Sequence, residues 1–292
     1  MINKKALVIF GPTASGKSSA ANKIAEKHAA TIINADSIQV YQDLRLITSR
    51  PSIEDENKVD HRLYGFLKGD ENCTLSKWLN LVKKEINLSL DNNKLPIIVG
   101  GTGMYLKGLI DGISSIPKIP NSVIEETKHI ISQNGLDFIY KILAEKNKNL
   151  KINPSDTQRI QRAYNVFIGT GKTIEEWNLK NKKIIQNLKL DIVIQEFDRS
   201  EIYRGCEKRF DKMIECGGIE EIERLLEKKY DPNLSIMKAI GVREISKYLN
   251  NELSLQEASD LAKQKTRNYI KRQITWIKGN NITQNSSIKK YI

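Results

Sequence analysis

Eight consecutive residues, Gly11-Pro12-Thr13-Ala14-Ser15-Gly16-Lys17-Ser18, fit the phosphate-loop pattern G-x-x-x-x-G-K-[ST]. Such a loop turns backbone N–H groups toward one point, where they and a helix N-terminus cradle a di- or triphosphate. Lys17 adds a point charge, the Ser18 hydroxyl can hold Mg²⁺, and the two glycines allow close approach of the backbone. The pattern alone suggests ATP, but it identifies neither the phosphate ester nor any group that moves.

Further segments could carry chemistry. Asn34-Ala35-Asp36-Ser37 puts a carboxylate at a strand end, where it could hold Mg²⁺ through water, accept a proton, or cap the next helix. Val99-Gly100-Gly101-Thr102-Gly103 is either a tight turn into a helix or a close approach to a ligand with Thr102 offering a hydroxyl. Between 153 and 162 the chain predicts a helix with Asn153 as N-cap and Pro154 in its first turn. Ile160, Ala163, Tyr164 and Phe167 form its apolar face. Gln158, Arg159 and Arg162 lie on another face, either solvated or gripping phosphates and base edges. Ser254 and Glu257 make a capping box that opens a long helix carrying Lys263, Arg267 and Lys271 at intervals of four, with Gly279 as its end. Arg204, Lys208 and Arg209 fall on a helix starting near Ser200, and Arg243 follows Gly241 near another helix start. Arginine suits bidentate phosphate binding.

The elements that must position these residues alternate. Apolar runs at Ala6–Phe10, Thr31–Ser37, Pro96–Val99 and Leu190–Ile194 read as strands. Helical patterns cover Ser19–His28, Leu75–Leu90 and Met104–Ile110. This rhythm predicts an α/β fold, a P-loop parallel sheet flanked by helices, with ligands beyond the carboxyl ends of the strands. Asp36, Thr102 and the phosphate loop all lie at such ends. The Pro117/Pro120 break opens a Lys- and Asn-rich stretch without strands, so the expected division is a first core part at 1–113, a mainly helical insertion at 114–189, and core completion with basic helices at 190–292. The final segment is largely polar and is expected to fray.

Composition narrows the partners. Lys and Arg number 47 against 35 Asp and Glu, a formal charge of +12, which points to a polyanion, nucleic acid first, or to genome base bias. No run of apolar residues is long enough for a transmembrane helix, and no leader is expected ahead of the first strand. Cys73, Cys206 and Cys216 are scattered, which supports neither a disulfide framework nor a zinc finger and suggests a reducing cytoplasm.

Taken in order, the phosphate loop, Asn34–Ser37 with Gln39-Val40-Tyr41, Val99–Gly103, Asp156-Thr157-Gln158-Arg159 with Arg162, and Thr266-Arg267 through Lys271-Arg272-Gln273 with Thr275-Trp276 resemble the bacterial tRNA isopentenyltransferase (tRNA dimethylallyltransferase) family over roughly Ala6–Lys278. The resemblance implies transfer of a dimethylallyl group from dimethylallyl diphosphate to N6 of adenosine 37, beside the anticodon of tRNAs that read codons beginning with U. It implies Mg²⁺ as cofactor and a cytoplasmic monomer as the acting form. Residues Gly11, Pro12, Thr13, Ala14, Ser15, Gly16, Lys17 and Ser18 would bind the diphosphate, with Ser18 on the metal. Asp36 would take the N6 proton, Thr13 would reach the bridging oxygen, and Lys17 and Arg209 would act on the leaving group. Asp36, Ser37, Ile38, Gln39 and Thr102 would border the acceptor base, while Gln158, Arg159, Ile160, Gln161, Arg162 and Arg243 would meet the anticodon stem–loop.

The chain departs from the family pattern in places: Ile38 where arginine is frequent, Gly241-Val242-Arg243-Glu244 for Gly-Tyr-Arg-Gln, and Thr48-Ser49-Arg50-Pro51 for Gly-Thr-Ala-Lys-Pro. No zinc-finger extension of the eukaryotic kind is expected, in keeping with a bacterial-type enzyme. Three other readings remain: a small-molecule kinase, an RNA-binding NTPase switch, and a prenyltransferase acting on free adenine nucleotides. Phosphate contacts to RNA would make binding fall steeply with salt and so discriminate among them.

Overall fold

The computed structural model describes residues 4–148, 150–179, 181–280, 282 and 284–291. The chain divides into two compact units, one built from Met1–Ile110 and Ile184–Ile292, the other from Asp111–Lys183.

The first unit is built on a parallel sheet. Its strands are β1 (Lys5–Phe10), β2 (Ala30–Asn34), β3 (Asp60–Arg62), β4 (Leu95–Gly100) and β5 (Lys189–Ile194), in the order β3-β2-β4-β1-β5. All four pairings are parallel, with Leu7 opposite both Ile97 and Asp191. Strands covered on both faces need apolar residues at successive positions, and Ala6 to Phe10 are all buried. Helix α1 (Lys17–Lys27) covers one face through Ala21 and Ile24. Of α2 (Ile53–Lys58), α3 (Leu75–Asp91) and α4 (Gly103–Asp111), the last two bring Trp78 and Tyr105 together, ring centroids 4.3 Å apart and nearly parallel.

Two expectations about strands are corrected. The edge strand β3 is missing from the sequence reading because Asp60-His61-Arg62 contains no apolar run. Strand β2 stops at Asn34 rather than reaching Ser37. The buried Asn34 side chain itself turns the backbone: Oδ1 accepts the Asp36 N–H at 2.8 Å, and Nδ2 donates to the carbonyls of Asp36 and Leu63 at 2.9 and 3.0 Å. Trp78 Nε1 donates to the Asn34 carbonyl at 2.9 Å, so the turn is anchored from α3 as well.

Helices α9 (Arg199–Met213), α10 (Ile219–Glu227), α11 (Val242–Leu249) and α12 (Leu255–Gly279) complete this unit. They enclose a second apolar core in which Val40, Tyr41 and Leu44 meet Phe210, Ile222, Val242 and Ala262. The Ser254–Glu257 capping box forms as the sequence requires. Tyr291, in the final segment expected to fray, is instead held: it is buried, its hydroxyl donates to Asp191, and His28 Nε2 lies 2.8 Å from its carbonyl oxygen. Asp191 also pairs with Lys5 at 3.0 Å. Burial works against its charge, but the bonds from Tyr291 and Lys5 outweigh that and hold its pKa at about 2.

The second unit contains α5 (Asn121–Asn134), α6 (Leu136–Lys146), α7 (Thr157–Thr170) and α8 (Ile174–Asn178). Its small core joins Ile139 and Leu143 of α6 to Ile160, Ala163 and Tyr164 of α7. Helix α7 begins later than the sequence suggests. Asp156 is its N-cap and accepts the Arg159 N–H, whereas Asn153 Oδ1 accepts the Ser155 N–H at 3.0 Å and closes a separate turn around Pro154.

Candidate active site

The phosphate loop joins β1 to α1. Ala14 and Gly16 adopt positive φ of 61° and 82°, the conformations that fold successive N–H groups inward. At Gly16 a Cβ would meet nothing within 4 Å, so its requirement is conformational rather than steric. Ser15 Oγ and Lys17 Nζ both donate to the Pro12 carbonyl, at 2.8 and 2.5 Å. Burial lowers the Lys17 pKa to about 8; the Asp36 carboxylate opposes this shift and the Arg209 guanidinium adds to it. A lysine held this close to neutrality gains most from a bound anion.

Arg209, on α9, reaches the loop and donates from Nη2 to Thr13 Oγ1 at 2.7 Å. Burial lowers its pKa, opposed by Cys206 and Asp36, and its Nε is buried without a partner. Arginine stays charged in proteins. Such a cation beside a phosphate loop is suited to an anion.

Asp36 follows the Asn34 turn. Its Oδ1 accepts the Ile38 N–H at 2.9 Å and the Gln39 N–H at 3.4 Å. No α-helix starts there, so the contact is an Asx turn rather than a helix cap. Among the described residues Oδ2 has no hydrogen-bond partner. Ser37 is held by Thr102, whose Oγ1 accepts the Ser37 N–H at 3.0 Å. The Gln39 amide donates to the Thr48 and Ser49 carbonyls at 2.8 and 2.9 Å, fixing the loop beside the crevice.

Two cavities meet at Thr13, Asp36 and Arg209, which line both. One, of about 370 Å³, is polar and includes Lys17, Ser18, Gln39 and Tyr64. The other, of about 320 Å³, is walled by Ile38, Ile47, Phe210, Met213 and Ile240, with Lys238, Tyr269 and Arg272 on its margin. A charged head can therefore occupy one side of Asp36 and an apolar or aromatic group the other. Ser37 and Thr102 line a third recess, of about 290 Å³, with Phe10 and Trp276.

The remaining sequence candidates stand elsewhere. In the second unit Gln158, Arg159 and Arg162 are exposed on α7 and Gln161 is half-buried, while Arg159 pairs with its own N-cap Asp156 at 3.3 Å. Ile160 must be withdrawn from that surface: it is fully buried against α6, so its side chain meets protein rather than RNA. Arg243 lies at the exposed start of α11, where Nη2 donates to the Pro232 carbonyl at 3.3 Å, and lines none of these cavities.

Residues 39–280 match the IPP transferase family. The chain belongs to this family. Relatives named tRNA dimethylallyltransferase include one from Nitrobacter hamburgensis, 37% identical over 94% of this chain and 87% of its own length. Another, from Ehrlichia chaffeensis, is 40% identical over 93% and 90%. A solved eukaryotic dimethylallyltransferase described as acting on tRNA superposes with a TM-score of 0.80 at 27% identity, covering 94% of this chain and 70% of that one. A tRNA delta(2)-isopentenylpyrophosphate transferase from Staphylococcus epidermidis gives 0.66 at 26%, covering 98% and 95%.

The match to the IPP transferase family begins at Gln39, beyond both the phosphate loop and Asp36, so the roles of those residues are argued from their geometry. Apart from Ile38, the apolar wall of the second cavity has no signal in the sequence. Phe210, Met213 and Ile240 are ordinary core residues by pattern. Gln273 and Tyr269 carried a detectable signal: with Trp276 they recur at helical spacing on one face of α12, and a buried glutamine on such a face needs partners.

Proposed function

We propose that this chain transfers a dimethylallyl group from dimethylallyl diphosphate to N6 of adenosine 37 in tRNAs reading codons that begin with U, releasing diphosphate. The observation that carries the reading is Asp36 at the junction of a polar, cationic cavity and an apolar one. Membership of the IPP transferase family and relatives named for dimethylallyl transfer to tRNA support the reaction class.

The diphosphate lies on the loop N–H groups with Lys17 and Arg209, which neutralise the charge that grows as the C–O bond breaks. The Thr13 hydroxyl, whose oxygen accepts from Arg209, keeps its own proton to donate to the departing oxygen. Adenine leaves the anticodon-loop stack and presents N6 to C1 of the prenyl group. The N6 lone pair is delocalised, so nucleophilicity depends on losing a proton as the C–N bond forms. Asp36 Oδ2 takes that proton. The apolar wall sequesters the prenyl carbon from water.

The donor set fits Mg²⁺. Ser18 would offer a hydroxyl at the start of α1, beside the loop that would hold the diphosphate. Magnesium bound through a side chain, phosphate oxygens and water has such a sparse protein contribution. When bound with diphosphate it supplies charge neutralisation.

The anticodon stem–loop is gripped by Gln158, Arg159, Gln161 and Arg162, with Arg243 as a further contact. One chain carries every crevice residue, so a monomer suffices. Among the described residues no helix is long and apolar enough to cross a membrane, and we place the reaction in the cytoplasm, with tRNA. Incubation with tRNA, Mg²⁺ and dimethylallyl diphosphate labelled in the prenyl carbon should leave label on the tRNA. Label that stays on the small molecule, together with ATP-dependent phosphorylation of an added alcohol, would replace this reading by the kinase.

A further inference from the structure

Gln273 is a buried polar side chain in the C-terminal part of α12, only 7% exposed. Its amide makes two long-range hydrogen bonds. Oε1 accepts the Thr13 N–H at 2.9 Å, and Nε2 donates to the Gly101 carbonyl at 2.9 Å. The amide's orientation is dictated by these partners, since one side meets a donor and the other an acceptor. A Cβ on Gly101 would lie 2.4 Å from Nε2, so the glycine is what lets the amide in. One helical turn on, Trp276 packs against Gly103, where an added Cβ would lie 2.4 Å from its ring. Helix α12 is thus latched to the phosphate loop and to the glycine-rich turn after β4 by a single face.

The consequence falls on Thr13. Its N–H is committed to Gln273, and its Oγ1 receives Arg209 Nη2. These two bonds fix its backbone and side chain from separate helices, α12 and α9. With Oγ1 accepting from Arg209, the hydroxyl proton is left for another acceptor. On the other side of the latch, the turn holding Gly101 carries Thr102, which holds Ser37 beside Asp36.

We propose that Gln273 is a positioning residue: it holds Thr13 and the Gly101–Thr102 turn in register, so that the groups acting on the leaving oxygen and on the nucleophile face one point. The inference rests on the prenyl-transfer reading. A displacement of about 1 Å at such a contact costs about 10²-fold in rate.

The test is a double-mutant cycle in the full-length protein. Gln273→Met keeps the volume and removes both hydrogen bonds, Gln273→Glu keeps the acceptor facing Thr13, and Thr13→Ala removes the hydroxyl. Single-turnover rate, tRNA Kd and affinity for inorganic diphosphate are read for each. Gln273→Met should lose about 10²-fold in rate, with tRNA Kd within about twofold, and its loss should not add to that of Thr13→Ala. Gln273→Glu should recover part of the rate and carries the cycle if Gln273→Met does not fold. Losses that multiply, or a rate near wild type in Gln273→Met, would overturn the proposal. Diphosphate affinity needs no transfer: if wild type fails to prenylate tRNA the functional reading falls, while weakened diphosphate binding in Gln273→Met would leave the latch standing.

Discussion

The crevice and the helical unit use polar residues in opposite ways. Around the crevice, key polar side chains are tied across long sequence distances: Arg209 to Thr13, Gln273 to Thr13 and Gly101, Thr102 to Ser37. On α7 the polar residues Gln158, Arg159 and Arg162 are exposed, and Arg159 pairs locally with Asp156. Bond making needs groups fixed before the substrate arrives, because reorganisation at the moment of reaction costs rate. Holding a flexible polyanion needs charge that can adjust, and exposed arginines lose little by waiting in water.

The largest effect that could break this contrast is at Asp36. Asp36→Asn keeps the Ile38 and Gln39 N–H bonds but cannot take a proton, and turnover should fall by about 10³-fold with tRNA Kd unchanged. A parallel loss of tRNA affinity would make Asp36 a binding residue. Lys17→Met should come next, weakening diphosphate binding by about 10²-fold; unchanged binding would remove the lysine from the phosphate site.

The same lysine has a pH signature. Its pKa of about 8 lies below the ordinary lysine value of 10.5 because burial disfavours the cation. As pH rises through 8 the ligand-free protein loses that charge, so diphosphate affinity should decline there in a calorimetric titration and should not decline in Lys17→Met. For stability the sign is opposite. The unfolded chain binds more protons between about 8 and 10.5, so this group's contribution to stability rises with pH across that window.

On α7 the effects should be smaller and of a different kind. Arg159→Ala and Arg162→Ala should each weaken tRNA binding and reduce its logarithmic salt slope by about 1, with the rate at saturating tRNA unchanged. A fall in that rate would mean the helical unit takes part in chemistry. Smallest of all, Tyr291→Phe should cost about 1 kcal/mol in urea unfolding by leaving Asp191 one hydrogen bond short, with prenyl transfer intact; a change in transfer would tie the end of the chain to the crevice.

What could be read in the sequence follows the same division. The phosphate loop, the parallel sheet and the basic face of α7 are written in contiguous residues, as a motif, apolar runs and a helical period. Asp36 was visible as a carboxylate at a strand end, but its turn was not, because that depends on Asn34 reaching Leu63 and on Trp78 reaching Asn34. Gln273 lies 260 positions from Thr13, and no local pattern records such a partner. Ile160 was assigned to the RNA by resemblance alone, although its helical spacing already put it on the apolar face where it is buried. The docking of Tyr291 was hidden by the polar segment before it.

The most direct measurement is mass spectrometry of an anticodon stem–loop carrying adenosines at tRNA positions 36 to 38, after incubation with wild-type and Asp36→Asn protein, Mg²⁺ and dimethylallyl diphosphate. One dimethylallyl group on adenosine 37 with wild type, little with Asp36→Asn, and none when guanosine replaces adenosine 37 is the expected result. Equal modification by both proteins, or no added mass with wild type, would contradict the placing of prenyl transfer at this crevice.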